Sequence, residues 1–256
     1  MLKAMDDIEG KIINNNTIAP GYRLLKIRLS RPMDQMVPGQ FVMIQVPDRE
    51  VFLRRPFSIY ESSHTTLSLM YKVVGKGTES LSRAVKNERV SVLCPLGKGF
   101  TIQKRDMYLI VAGGIGIAGV HTLIQRLGKR ATIFYGCKSM AELPLMGGAS
   151  DLNPYISTLD GSVGFRGNVV QLLAKHMKTL KNKDVEIFTC GPENMLKSLK
   201  KLLEREKIPC QASFEERMAC GLGLCFGCVK KTVDEDEPYK RVCREGPVFD
   251  LWQVCL

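Results

Sequence analysis

The chain has 256 residues, a formal net charge of +11 and an apolar content of 45%. That length suits two domains with a small appendage, and no apolar run approaches the roughly 20 residues that a membrane helix needs. Lys and Arg are spread over the whole chain without aromatic residues interleaved among them as a base-stacking surface requires, so nucleic-acid binding is not expected.

Met1 to Gly10 holds three acids and no apolar core, unlike a secretory signal, which leads to the expectation of a soluble cytoplasmic protein with reduced thiols. From Lys11 to about Phe100 the pattern is short and β-like. Tyr22–Ser30 alternates, Phe41–Val46 is an apolar run, and Thr66–Val74 carries Leu67, Leu69 and Tyr71 at period two. Pro20-Gly21, Pro38-Gly39, Gly75-Lys76-Gly77 and Pro95-Leu96-Gly97 punctuate these strands, and Glu79–Val85 reads as a helix. Strands spaced this way predict a small barrel or sandwich. On it lies Arg54-Arg55-Pro56-Phe57-Ser58, followed by Gly77-Thr78 at a helix start with Thr78 as the expected N-cap. An Arg neutralises a pyrophosphate, an aromatic ring stacks on a flat heterocycle, and a hydroxyl bonds to a ring nitrogen. The plainer alternative is two Arg residues decorating a surface strand.

After Arg105 the rhythm changes. Met107–Ala112, Thr132–Tyr135, Tyr155–Leu159 and Asp184–Cys190 read as strands, while Ala118–Leu127, Asn168–Met177 and Pro192–Lys207 read as helices. Such alternation implies a parallel sheet covered on both faces. The last helix is expected to expose a basic face formed by Lys197, Lys200, Lys201, Arg205 and Lys207. Between the first strand and helix, Gly114, Gly116 and Gly119 match G-x-G-x-x-G, a turn that brings backbone N–H groups to a pyrophosphate. The acid that a dinucleotide site places about twenty residues on is absent; Tyr135-Gly136-Cys137-Lys138-Ser139 stands there, so NADPH stays open beside NADH.

Phe214 to Leu256 is too short to own a core without a metal centre. It carries Cys220-x4-Cys225-x2-Cys228-x14-Cys243, the plant-type spacing for a 2Fe–2S cluster held by four thiolates. Gly221, Gly223 and Gly227 allow a tight loop around such a core. Structural zinc usually takes two Cys-x2-Cys hooks, and only one is present. The other cysteines, Cys94, Cys137, Cys190, Cys210 and Cys255, are expected to be small, buried and reduced, with Cys190 standing out. Asp234–Glu237 reads as a solvated turn. His64, His121 and His176 show no metal-ligand spacing and read as surface or core residues.

Taken in order, Arg55-x-Phe57-Ser58, Gly77-Thr78, Gly113-Gly114-Ile115-Gly116 and Cys190-Gly191-Pro192-Glu193-Asn194-Met195 are similar to the ferredoxin–NADP reductase superfamily. The run from Arg217 to Cys228 narrows the resemblance to the electron-transfer subunits of type B dihydroorotate dehydrogenase, over nearly the whole chain. The resemblance implies a β-barrel flavin domain over 1–104, an α/β parallel-sheet nucleotide domain over 105–211 and a small C-terminal 2Fe–2S domain over 212–256. It further implies that Arg55, Pro56, Phe57 and Ser58 bind FAD, with Ser58 near the reactive flavin nitrogen. Met70, Tyr71 and Lys72 would line the flavin, and Gly77 and Thr78 would hold its phosphates. Gly113, Gly114 and Gly116 would face NAD, and Cys190 would lie near the nicotinamide, making Ser58 and Cys190 the catalytic pair. Cys220, Cys225, Cys228 and Cys243 would ligate the cluster.

By the same resemblance, electrons pass from the FMN of a dihydroorotate-oxidising catalytic subunit through the cluster and FAD to NAD+ in de novo UMP synthesis, within a heterotetramer of two copies of each chain. Phe57 departs from the Tyr common in the superfamily, and Lys138 leaves the choice of NADH to the resemblance. The alternatives are a ferredoxin–NAD(P) oxidoreductase or hydrogenase-type diaphorase subunit, which usually has Gly where Phe226 stands, and a zinc-stapled nucleotide-binding regulatory protein without redox turnover.

Overall fold

The structure, a computed structural model, describes residues 6–33, 35–48, 51–177 and 183–256. Residues 1–5 of the expected flavin domain lie outside that description. The amino-terminal strands are β1 (Asp6–Ala19), β2 (Tyr22–Leu29), β3 (Phe41–Gln45), β4 (Arg55–Ser62), β5 (Thr66–Lys72) and β6 (Arg89–Leu96). They close an antiparallel barrel in the order β1-β2-β5-β4-β3-β6. Closure comes from β6, which pairs with both β1 and β3, and this decides barrel over sandwich. The alternation read from the sequence does its expected job. In β2, Leu25, Ile27 and Leu29 are buried while Lys26 and Arg28 face solvent.

Helix α1 (Lys76–Arg83) joins β5 to β6. Its N-cap is Gly75, which corrects the expectation for Thr78. Thr78 sits in the first turn, where its Oγ1 accepts from the N–H groups of Val74 (2.9 Å) and Gly75 (3.2 Å). The threonine reaches back over the helix start instead of preceding it.

The second sheet takes β7 (Met107–Gly113), β8 (Ala131–Cys137), β9 (Tyr155–Thr158), β10 (Phe165–Arg166), β11 (Val185–Cys190) and β12 (Cys210–Ser213) as parallel strands. The chain then forms a hairpin of β13 (Val229–Lys231) and β14 (Tyr239–Arg241) before β15 (Val248–Asp250). The sheet order is β10-β9-β8-β7-β11-β12-β15, with β15 antiparallel to β12. β7 and β11 are buried almost throughout, as strands covered on both faces must be. Helix α2 (Ile117–Leu127) packs with Ile110 and Ala112 on one face. Helices α3 (Val169–His176) and α4 (Glu193–Leu203) pack with Leu109 and Val111 on the other. The barrel side chains Tyr22, Tyr60 and Met70 join the α2 face, so barrel and sheet share a seam there.

The carboxyl-terminal segment packs onto the nucleotide sheet. Its buried residues Cys228, Val242, Cys243, Phe249, Leu251 and Val254 belong to the same core as α3 and α4. The boundary drawn at 211/212 falls inside β12, and β15 returns to extend that sheet. A segment too short for its own core has borrowed one.

Two smaller expectations also need correction. The last helix stops at Leu203, and Lys200 is half-buried with its ammonium donating to the Val254 carbonyl at 2.6 Å, so the basic face is interrupted. Cys255 is exposed, whereas Cys94, Cys137, Cys190 and Cys210 are buried as expected. Among the described residues no helix is long and apolar enough to cross a membrane.

Candidate functional site

The chain runs outward from β7 through β8, β9 and β10, then returns to β11 on the other side of β7. Such a reversal opens a crevice at the carboxyl ends of the strands. The turn Gly113–Gly116 closes it. A Cβ at Gly116 would strike the Cys190 carbonyl, and one at Gly113 would sit 2.6 Å from Met195 Sδ. Only glycine lets the turn press this closely on the Cys190–Met195 segment. Gly119, one turn into α2, does the same for two predicted groups. A Cβ there would lie 2.8 Å from Cys190 Sγ and 3.5 Å from Ser58 Oγ, so the hydroxyl from β4 and the thiol from β11 converge over one glycine.

A cavity of about 400 Å³ occupies the crevice, lined by Gly113, Gly114, Gly116, Gly136, Lys138, Asn168, Gly191, Pro192 and Met195. A second cavity of about 300 Å³ lies against the barrel, lined by Pro56, Phe57, Ser58, Met70, Tyr71, Lys72 and Thr78 on one side and by Ser213–Glu216 and Met218 on the other. Lys72, Ile115 and Glu215 border both. The cavities therefore adjoin.

Two predicted groups stand at the edge of this arrangement. Cys190 is 1% exposed and lies beneath the cavities rather than in their lining. Burial pushes its thiol far up, with Glu215 adding and a Ser213 hydrogen bond opposing, so it is a neutral group. Arg55 lies across Gly77, its Nε 2.5 Å from where a Cβ would be, and Nη1 donates to the Leu53 carbonyl at 2.8 Å. Arg54 turns the other way, giving 2.6 Å and 3.2 Å bonds to the Asp7 carboxylate. The decorative reading thus holds for Arg54, while Arg55 and the α1 amino terminus form a cationic corner beside Thr78. Phe57 and Tyr71 pack at 5.6 Å between centroids within the barrel wall, and the Tyr71 hydroxyl donates to Asn15 at 3.0 Å.

Sequence patterns missed two carboxylates here. Glu215 borders both cavities, and burial of its carboxyl by the surrounding protein raises it above the ordinary value. Glu142 is buried, accepting from the Tyr22 hydroxyl at 3.1 Å and from the Lys138 N–H at 3.1 Å. It borders the nucleotide cavity four positions past the lysine. Neither sits in a local motif; only the fold brings them in.

The cysteine loop lies on the barrel. Gly221 (φ +68°) touches Met43 of β3, and Gly223 (φ +78°) packs under Arg244. These left-handed positions turn the loop around its sulfurs. Arg241 braces it, donating to the Gly223 carbonyl at 2.7 Å, pairing with Glu245 at 2.5 Å and lying 4.9 Å over the Phe226 ring. Backbone N–H groups point at sulfur: Leu222 to Cys220 (3.3 Å), Gly227 to Cys225 (3.5 Å) and Cys243 to Cys228 (3.5 Å).

The Cys220 thiol is pushed up by burial, but hydrogen bonds from Leu222, Cys225 and Leu224 outweigh this and hold it at about 6. Cys243 is pushed up to about 12 by burial and by its hydrogen bond with Cys228. The thiols are thus associated as Cys220 with Cys225 and Cys228 with Cys243. Among the described residues no three such donors gather at a single ion's position. Pairs of thiolates with N–H donors aimed at sulfur fit a two-iron core, which divides four ligands between two metals. The barrel-side cavity, with its cationic corner and Ser58 at its wall, fits a flavin dinucleotide, and the Gly-rich crevice fits a nicotinamide dinucleotide.

Residues 215–255 match the iron–sulfur cluster binding domain of dihydroorotate dehydrogenase B. The chain is 35% identical to the "Dihydroorotate dehydrogenase B (NAD(+)), electron transfer subunit" of Desulforamulus reducens, over 96% of this chain and 97% of that one. It is 35% identical to a homologue of that subunit from Aquifex aeolicus, over 98% and 99%. A solved structure of an NADH-dependent reduced ferredoxin–NADP oxidoreductase superposes with a TM-score of 0.83 at 24% identity, covering 96% of this chain and 89% of that one, and so shares the fold.

Proposed function

Because the chain belongs to the family of electron-transfer subunits of NAD+-dependent dihydroorotate dehydrogenase B, we propose that it carries electrons from an FMN-bearing, dihydroorotate-oxidising partner to NAD+ in UMP synthesis. When bound, FAD exchanges hydride with nicotinamide and single electrons with a 2Fe–2S cluster, and so converts between the two currencies. The observation that carries this reading is the continuity of one segment: Ser213–Glu216 and Met218 wall the flavin-sized cavity, and Cys220 follows two residues later.

In this reading Arg55 and the first turn of α1, with Gly77 and Thr78, hold the FAD pyrophosphate. Pro56, Phe57, Ser58, Met70, Tyr71 and Lys72 shape the wall against its ring. Gly113, Gly114 and Gly116 admit the NAD pyrophosphate. Ser58 Oγ supplies a hydrogen bond at the barrel side of the junction. Cys190, held neutral by burial, fills the floor without adding charge. Glu215 offers a carboxyl at the shared mouth, where a proton can be held. Cys220, Cys225, Cys228 and Cys243 ligate the cluster.

The partner docks over Cys225 on this account, because that exposed cysteine is flanked by Leu224 (76% exposed) and Phe226 (59%), two large apolar side chains open to solvent. Assembly with two copies of each subunit and a cytoplasmic location, where thiols stay reduced, complete the proposal.

The test uses two assays on one preparation. Cys225→Ser is expected to lower partner-linked NAD+ reduction by about a hundredfold or more, while NADH–dye activity stays within about twofold. Loss of both activities with FAD still bound, or iron-free protein that cannot be reconstituted, would refute the route.

A further inference from the structure

Lys230 lies on β13, two residues past Cys228, and its side chain is only 12% exposed. Its ammonium pairs with Glu193 Oε2 at 2.9 Å and with Glu216 Oε1 at 2.5 Å, and it stands 5.9 Å over the Phe214 ring. Each partner comes from a different part of the site. Glu216 and Phe214 wall the flavin-sized cavity. Glu193 opens α4, directly after Pro192, which lines the nucleotide cavity. One cation thus joins the strand leaving a cluster thiol to the walls of both cavities.

A lysine this enclosed needs its partners. An ammonium has three protons to donate, and two carboxylates and an aromatic face meet them here. Removing the cation would leave Glu216, itself 29% exposed, without an ion-pair partner among the described residues and beside an apolar wall, a costly state. Lys197 also pairs with Glu193 at 2.9 Å, so the α4 end would keep some neutralisation while the Glu216 end would keep none from the described residues.

Resting on the function proposed above, we propose that Lys230 is a positioning residue: it holds the cluster strand in register with the flavin wall and the start of α4. Two single electrons and one proton account for each hydride exchanged with nicotinamide, so every turnover crosses this junction twice. Looseness there slows the one-electron leg and spares the hydride leg.

The experiment compares the holo-protein with Lys230→Met and Lys230→Arg. In Lys230→Met, amide hydrogen exchange is expected to rise together in 193–197, 214–217 and 229–231. Rapid mixing with NADH should show flavin reduction within about twofold of the parent and flavin-to-cluster transfer slowed about tenfold or more at equal iron content. Lys230→Arg should recover most of both measurements, since it keeps the positive charge and N–H donors facing the two carboxylates. Exchange rising in 229–231 alone, an unchanged transfer rate, or failure of the arginine variant to recover would overturn the assignment. If Lys230→Met does not fold, Lys230→Gln, which keeps hydrogen-bond donors but loses the charge, decides instead: slowed transfer with normal flavin reduction supports the role, and parent-like transfer removes it. Iron-free parent protein would defeat the proposed function, while the exchange arm would still decide what Lys230 holds.

Discussion

The seam between barrel and sheet and the lobe around the cysteine loop differ in how they handle charge. Along the seam, burial decides. It drives the Cys190 thiol up, raises the Tyr60 phenol to about 12 and lowers the His121 imidazole, leaving each group neutral. In and beside the cysteine lobe the outcome is mixed: burial pushes the Cys243 thiol up to about 12, while hydrogen bonds and ion pairs act the other way on its neighbours. They hold Cys220 at about 6 despite burial, bring the mostly exposed Glu193 to about 2 and lower Glu245 beside Arg241. A seam whose buried thiol, phenol and imidazole all stay neutral suits a place where two large cofactors meet by shape. Hydrogen bonds that favour the Cys220 anion suit a loop that holds thiolates, whereas Cys243 would need the metal itself to displace its proton.

The strongest challenge to this contrast is steric. Gly116→Ala drives a methyl group into the Cys190 carbonyl, so stability is expected to fall by about 1–3 kcal/mol. NADH–dye activity should fall on the order of tenfold or more. A denaturation midpoint and activity equal to the parent's would show that the seam is not packed as described.

Next comes the paired Arg54 and Arg55. Arg55→Ala should weaken FAD binding by about tenfold or more through loss of charge-assisted bonds. Arg54→Ala removes an exposed pair with Asp7 and should change FAD affinity by no more than about twofold. Flavin titration of the two apo variants distinguishes them, and equal losses would merge roles that the structure separates.

The smallest effect sharpens the seam's neutrality. His121 is 1% exposed, stacked on Tyr60 at 3.8 Å and hydrogen-bonded to the Tyr60 carbonyl at 3.1 Å, with Glu61 3.9 Å away. Its imidazole is lowered below 6.5 chiefly by burial, so the unfolded chain takes up a proton that the folded chain refuses. Stability should therefore decline as pH falls below the unfolded value, at no more than about 1.4 kcal/mol per pH unit, and level off below the folded one. Denaturant midpoints at several pH values should show a shallower decline in His121→Gln. An identical pH dependence would place the sensitive group elsewhere.

Periodicity and spacing carried much of this molecule. Alternation in Tyr22–Leu29 and the apolar run of Met107–Gly113 each encode their strand in consecutive residues, and the cysteine spacing encodes its loop. What escaped is whatever depends on residues far apart in the chain. Lys230 meets Glu193 across 37 positions, and Tyr22 meets Glu142 across 120. No window of sequence contains such a pair. Thr78 was misread for a subtler reason: a threonine before a helix and one in its first turn look alike until the direction of its hydroxyl is known. Lys138 drew attention by its sign, yet the Glu142 carboxylate that bonds its backbone N–H is equally part of that cavity edge.

The return of β15 to the edge of the nucleotide sheet bears on how such a protein can be rearranged. Domains exchanged by recombination are cut where few contacts cross. Here a cut near residue 212 would sever β12 and strand its antiparallel neighbour on the wrong fragment. The iron-binding end is no detachable cartridge; grafting it onto another reductase would require transplanting the sheet that it completes.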